Sequence, residues 1–211
     1  KDIATGKYRG FEMFEGYPLD IPSLKRMMSS YTTISFNGLS FDLIVIAAAI
    51  DGADCAKLKT ISDEIIRSKL PAWRVARDMG VSVPRQWDHI DLIEVAPGQA
   101  SLKVYGGRMH AKTMQDLPIE PDASISPEQR LELKRYCRND VNTTELLYKK
   151  LQGAIDLRAL MSKQYDIDLR SKSDAQMAEA LIKHELEALT GKTYRPKKVE
   201  PDSVVRYASP G

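Results

Sequence analysis

Two acidic residues stand where a globular chain ordinarily places apolar ones. After Ser126, the residues Leu133, Cys137, Asp140, Thr144, Leu147 and Leu151 recur at spacings of three and four. Residues so spaced share one helix face, the face that turns to a core. Asp140 breaks that stripe, because a carboxylate there is costly unless it is paired or bound to a cation. Tyr136, one turn earlier, brings a phenol hydroxyl toward the same spot. Alone, Asp140 reads equally well as a structural acid, paired with an Arg such as Arg135 or Arg138 or lying at the stripe's wet margin. The second acid is Asp42, in Phe36-Asn37-Gly38-Leu39-Ser40-Phe41-Asp42, where a strand-forming stretch passes into a strongly apolar helix. An acid in a first helical turn suits the helix dipole. A carboxylate at the carboxyl end of a strand also lies where open α/β sheets hold ligands. Asn37 offers an amide donor and acceptor beside it, and Gly38 lets another chain approach the backbone closely. Carboxylate oxygens are what hard divalent cations such as Mg²⁺ and Mn²⁺ require. Phosphoryl transfer commonly uses two such ions, about 3.5–4 Å apart, to activate water and stabilise the leaving oxygen.

The elements that must position these acids follow from local pattern. Residues 1–15 are expected to form a hairpin turning at Thr5-Gly6-Lys7, with Tyr8, Phe11 and Met13 in a strand-compatible run. Pro22–Ser30 reads as a short helix, and the β-branched and aromatic Tyr31–Phe36 as a strand broken by Asn37-Gly38. Phe41–Ile50 is apolar nearly all round, as in a helix buried on several faces. Helices at Cys55–Arg67 and Pro71–Met79 precede a second strand at His89–Val95. Pro118–Ser126 is a loop. Ser126-Pro127-Glu128-Gln129 then opens a long helix with a capping box, and that helix runs to about Leu151. Ser173-Asp174-Ala175-Gln176 repeats the start signal, and Gly191 ends that helix. Alternating strands and helices imply an α/β or α+β layered domain over residues 1–152, read here as α/β, with a helical extension over 153–191 and a linker over 192–211.

Composition narrows the classes. Of 211 residues, 43% are hydrophobic and 28% charged, which excludes wholesale disorder. The longest apolar run, Leu43–Ile50, falls far short of the roughly 20 residues that span a bilayer, so no membrane partner is expected. Cys55 and Cys137 are too few for a disulfide scaffold and fit a reducing, cytoplasmic setting. A net charge of +2 excludes a strongly basic nucleic-acid coat but leaves room for a local phosphate site. Lys103 and Arg108, in Ser101–Met109 with Tyr105 and a Gly-Gly pair, are candidates for contacting the phosphates of a single strand, with a solvated loop as the alternative. Asp91 reads as a surface acid beside His89, or as one facing the site. His89, His110 and His184 lack zinc-site spacing, and Cys137 reads as a small core residue. The Lys192–Lys198 patch reads as part of a solvated linker.

Together the two motifs resemble a known family. The chain is similar to the 3′–5′ proofreading exonuclease domain of phage-type DNA polymerases, the tyrosine branch of the DEDD exonucleases. Phe36-Asn37-Gly38-x-x-Phe41-Asp42 matches that family's second motif, and Tyr136-x-x-x-Asp140 its third, in a resemblance covering about residues 8–152. It implies an RNase H-like mixed sheet flanked by helices, with Asp42 and Asp140 as ligands of two Mg²⁺ or Mn²⁺ ions. It implies that Tyr136 orients or helps deprotonate the attacking water. It implies that Asn37 and Phe41 contact the 3′-terminal nucleotides of single-stranded DNA, with a polymerase domain following in the same protein. The family's first motif, Asp-x-Glu, is not present upstream of Asn37; the only candidate, Asp2-Ile3-Ala4, has Ala in place of Glu. The expectation is therefore a first strand missing before Lys1, half of the metal-ligand set, weak metal binding and little activity. A catalytically incomplete domain that binds DNA or braces a replication protein is the alternative, and an RNA-directed exonuclease is a third.

Overall fold

The computed structural model describes residues 1–194, so most of the expected linker, including much of the Lys192–Lys198 patch, lies outside the described residues. The chain divides into two units, Lys1–Ser173 and Asp174–Gly211. In the second, helix α8 spans Asp174–Thr190 and stops before Gly191, whose φ of 65° suits glycine.

The first unit is a mostly helical α/β arrangement around a short parallel sheet. Asp20 caps helix α1 (Ile21–Ser30), accepting from the Ser23 amide. Strand β1 (Thr33–Ser35) leads into a tight 3₁₀ turn over Gly38–Ser40 and then helix α2 (Asp42–Ile50). Helices α3 (Cys55–Arg67) and α4 (Ala72–Asp78) complete the crossover to strand β2 (His89–Asp91), which runs parallel to β1. Thr33 pairs with His89, Ile34 with Ile90, and Ser35 with Asp91. Because side chains alternate along strands, the pair has two unlike faces. Ile34, Phe36, Ile90 and Leu92 belong to an apolar core with Tyr105, Leu147 and Ile155. Thr33, Ser35, His89 and Asp91 share the opposite, polar face. A separate apolar core joins α1 to α4 through Leu24, Met28, Leu43, Ile44, Ala47, Ile61 and Trp87.

Helix α5 (Leu102–Arg108) occupies the stretch read as a cation-bearing loop. Its Gly-Gly pair is a contact point, not a flexible hinge. A Cβ on Gly106 would meet Thr143 Cγ2 of helix α6 (Pro127–Lys150) at 3.1 Å, so glycine permits the two helices to close. Helix α6 has the expected capping box and packs against both α5 and β1. After Leu151 the chain turns directly into α7 (Gln152–Tyr165), which buries Ile155 and Arg158. The segment that follows returns to the sheet, where Ser171 Oγ accepts the Asp91 amide at 2.9 Å.

The N-terminal hairpin does not form. Its turn is present, with Asp2 N donating to Lys7 O and Gly6 N to Asp2 O, but no paired strands follow. Side chains of this segment are instead taken up by α6. Lys1 forms an ion pair with Glu145 at 2.5 Å, Tyr8 donates to Asn142, and the Arg138 guanidinium lies 4.4 Å from the Tyr8 ring centre. Lys134 pairs with Glu12, and Arg130 lies 4.0 Å from the Phe14 ring centre. Those α6 residues repeat every three or four positions, so the segment lies along one helical face. Among the described residues the sheet is therefore the parallel β1–β2 pair, within a mostly helical α/β arrangement.

Candidate functional site

The polar face of the sheet carries a connected set of part-buried hydrogen bonds. Thr33 donates to Asp88 O, so its hydroxyl oxygen accepts from His89 Nδ1–H at 2.7 Å. His89 Nε2 is then free to accept the Ser35 hydroxyl at 2.9 Å, while Ser35 Oγ accepts the Gly38 amide. The network thus assigns His89 as a neutral Nδ1–H tautomer. Burial holds the His89 pKa below its ordinary value, against the opposing pull of Asp91 and Asp88.

Asp91 anchors the turn after β1. It is 1% exposed, and its carboxylate accepts from the backbone amides of Asn37 (2.7 Å), Leu39 (2.9 Å) and Ile93 (3.2 Å). Asn37 adopts a left-handed conformation with φ of 67°, which asparagine tolerates, and this aims two nearby amides at one carboxylate. Gly38 is obligatory for space: a Cβ there would sit 2.1 Å from Ser35 Oγ and 3.2 Å from His89 Nε2. The turn delivers Asp42 to the first position of α2.

Asp42 is open to solvent yet ringed by protein atoms. That desolvation raises its pKa, and the charge of Asp91 adds to the effect. Asp140 lies half-buried on α6, and desolvation raises its pKa too, while a hydrogen bond from Tyr136 partly offsets it. The same neighbourhood pushes the Tyr136 phenol upward, first through desolvation and then through Asp140. Among the described residues, neither Asp42 nor Asp140 forms an ion pair with a protein cation; Arg135 and Arg138 do not pair with Asp140. A carboxylate lacking a cationic partner offers the kind of oxygen ligand that a hard divalent cation takes. No group of three or more His, Cys, Asp or Glu side chains close enough to hold a metal occurs among the described residues.

The packing of α6 against β1 makes the elements bearing the two motifs neighbours. The charged neighbour that acts on Asp42 is Asp91, whereas Asp140 is coupled to Tyr136. Asn37 and Phe41 are half-buried on either side of the 3₁₀ turn. Lys103 and Arg108 lie on α5, where Lys103 is engaged by Asp116. Arg108 reaches over the Tyr105 ring, 5.9 Å from its centre, and borders a groove of about 350 Å³ also lined by Pro97, Leu147 and Lys150. Cys137 is exposed, not a core residue, because Thr143 and Leu147 set the buried face of α6.

Asp91 is the residue that sequence reasoning undervalued. It is buried and bonded to three backbone amides, not a surface acid. The signal was present in alternation: Thr33-Ile34-Ser35-Phe36 and His89-Ile90-Asp91-Leu92 both alternate polar and apolar residues, the pattern of strands sharing one polar face. No protein-family model, curated protein or solved structure matches this chain.

Proposed function

We propose that this chain is the exonuclease-type portion of a 3′–5′ DNA-trimming enzyme, acting on the single-stranded 3′ end of DNA with Mg²⁺ or Mn²⁺. The observation that carries the reading is a pair of carboxylates without cationic partners. Asp42 follows the carboxyl end of β1, and Asp140 sits beside Tyr136 on a helix that packs against that strand. Bound by Asp42 and Asp140, a divalent cation would neutralise phosphate charge and lower the pKa of a coordinated water. Tyr136, its pKa raised, stays protonated at neutral pH and can orient water through its hydroxyl while remaining tied to Asp140. Asn37 can hydrogen-bond a terminal nucleotide, and the Phe41 ring can stack on a base regardless of sequence. Lys103 and Arg108 would meet the backbone further along the strand, Lys103 by exchanging Asp116 for phosphate.

Two carboxylates are fewer than the resemblance calls for, so turnover should be slow and metal affinity low. The test is trimming of a 5′-labelled single-stranded DNA oligonucleotide in Mn²⁺, with a matched RNA alongside. Slow shortening from the 3′ end is expected from the unaltered chain and none from Asp42→Asn or Asp140→Asn. Equal shortening by all three would show that the acids do no chemistry. The second reading, a domain that binds DNA without cutting it, is favoured by the lack of a three-acid cluster among the described residues. Tight oligonucleotide binding with no Mn²⁺-dependent product would select it.

A further inference from the structure

We propose that Asp91 is the positioning residue of the candidate metal site, holding the Asn37–Leu39 turn in the shape that presents Asp42 to a divalent cation. The inference rests on the metal-binding reading above. Its basis is geometric. A buried carboxylate ordinarily demands a cationic partner; this one is met by three backbone amides, two of them in the turn that carries the motif. Its own amide is held by Ser171 Oγ, so the acid is fixed from behind as well as in front. Asn37 spends a left-handed conformation, and Gly38 its lack of a Cβ, to bring those amides into line. Much local structure thus converges on one turn, and that turn ends three residues before Asp42. The charge of Asp91 also bears on Asp42. A cation at Asp42 would be drawn by both carboxylates while touching one. Asp91 itself is spoken for: both of its oxygens already accept amide hydrogens, so it acts through the turn and through its field.

Outer residues that orient metal ligands commonly account for about 10–100-fold in metal affinity. In Asp91→Asn the amide can accept from one turn amide but must oppose the other with its own N–H. The experiment uses the full chain labelled for two-dimensional NMR, with Mn²⁺ as the paramagnetic probe and Mg²⁺ for hydrogen exchange. In the unaltered protein, the Asn37 and Leu39 amides should exchange slowly, and Mg²⁺ should slow them about tenfold further, because a turn that favours the metal is favoured by it. Asp91→Asn should retain the helical circular dichroism, lose protection at Asn37 and Leu39, and bind Mn²⁺ at least about tenfold more weakly. Asp42→Asn should lose Mn²⁺ broadening near α2 yet keep the protected amides. If Asp42→Asn leaves that broadening intact, the metal reading fails, and this inference falls with it. If Asp42→Asn abolishes it while Asp91→Asn binds Mn²⁺ normally, the positioning role alone is overturned. Should Asp91→Asn fail to fold, the unaltered protein decides: exchange at Asn37 and Leu39 that is indifferent to Mg²⁺ refutes the proposal.

Discussion

His89 shows how a single side chain can tie stability to pH in this molecule. It is buried, neutral and hydrogen-bonded by both ring nitrogens to hydroxyls. Protonation would place a charge in a desolvated site and leave the Ser35 hydroxyl without its acceptor. Because the folded pKa lies below the unfolded value of about 6.5, the unfolded chain takes up the proton first as pH falls. The contribution is therefore complete above about pH 7 and shrinks through the unfolded value toward the folded one. Urea midpoints at pH 7.5 and 5.5 should show this loss in the unaltered protein and a smaller one in His89→Gln. Asp42 and Asp140, with raised pKa values, act in the opposite sense, but they are common to both proteins and cancel in the comparison. An equal loss in both would place the titrating group elsewhere. The sequence made Asp42, Asp140 and Tyr136 visible because each breaks or accompanies a helical pattern. His89 and Asp91 show only through the alternation of two strands distant in sequence, which must be taken together before a buried polar face emerges.

At the scale of elements, legibility tracked how local the determining contacts are. The capping box at Ser126 is written within four residues, and α6 begins where those residues say: Ser126 Oγ accepts the Gln129 amide at 3.3 Å and Gln129 Oε1 accepts the Ser126 amide at 2.8 Å. Helix α3 likewise fills its expected span, with Asp54 accepting from Lys57 N. Residues 1–15 failed as a hairpin because their partner is the basic face of α6, more than a hundred residues away, which no local pattern announces. Helix α5 was missed for a related reason, since glycine pairs lower helix propensity and only Thr143 explains Gly106. Helix α7 lacks any side-chain cap and was legible only as part of a helical extension. The local case gives a sharp expectation. Ser126→Ala removes the hydroxyl acceptor of the Gln129 amide while leaving the Gln129 side chain on the residue 126 amide, and should cost about 1 kcal/mol. Chemical denaturation would measure it. Because α6 carries Tyr136 and Asp140 well beyond its first turn, Mn²⁺ binding should be unaffected. A stability change within error would mean that the preceding loop holds the helix start without the cap.

The molecule as a whole ties its site to parts that the motif-bearing stretch does not contain. The family-like stretch ends near Leu151, yet the first structural unit continues to Ser173. Within that addition, Ile155 joins the core beneath the sheet, and Leu169 is 0% exposed. The buried Arg158 guanidinium donates to Lys172 O and Ala154 O, tying α7 to the returning segment. Arg170 reaches Asp88, the residue just before β2, at 2.7 Å, and Ser171 holds the Asp91 amide. The Arg170–Asp88 pair is partly exposed and adds little by itself. The apolar residues matter more, because removing one large buried side chain costs about 2–5 kcal/mol. Two such losses rival the roughly 5–15 kcal/mol that a whole domain has to spare. A chain ending at Leu151 should therefore lose cooperative urea unfolding, and its turn over Asp91 should lose hydrogen-exchange protection. A chain ending at Ser173 keeps α7 and the returning segment and should unfold cooperatively. If residues 1–151 unfold with the midpoint of residues 1–173, the returning segment is an accessory, and the support for Asp91 comes from the motif-bearing stretch alone.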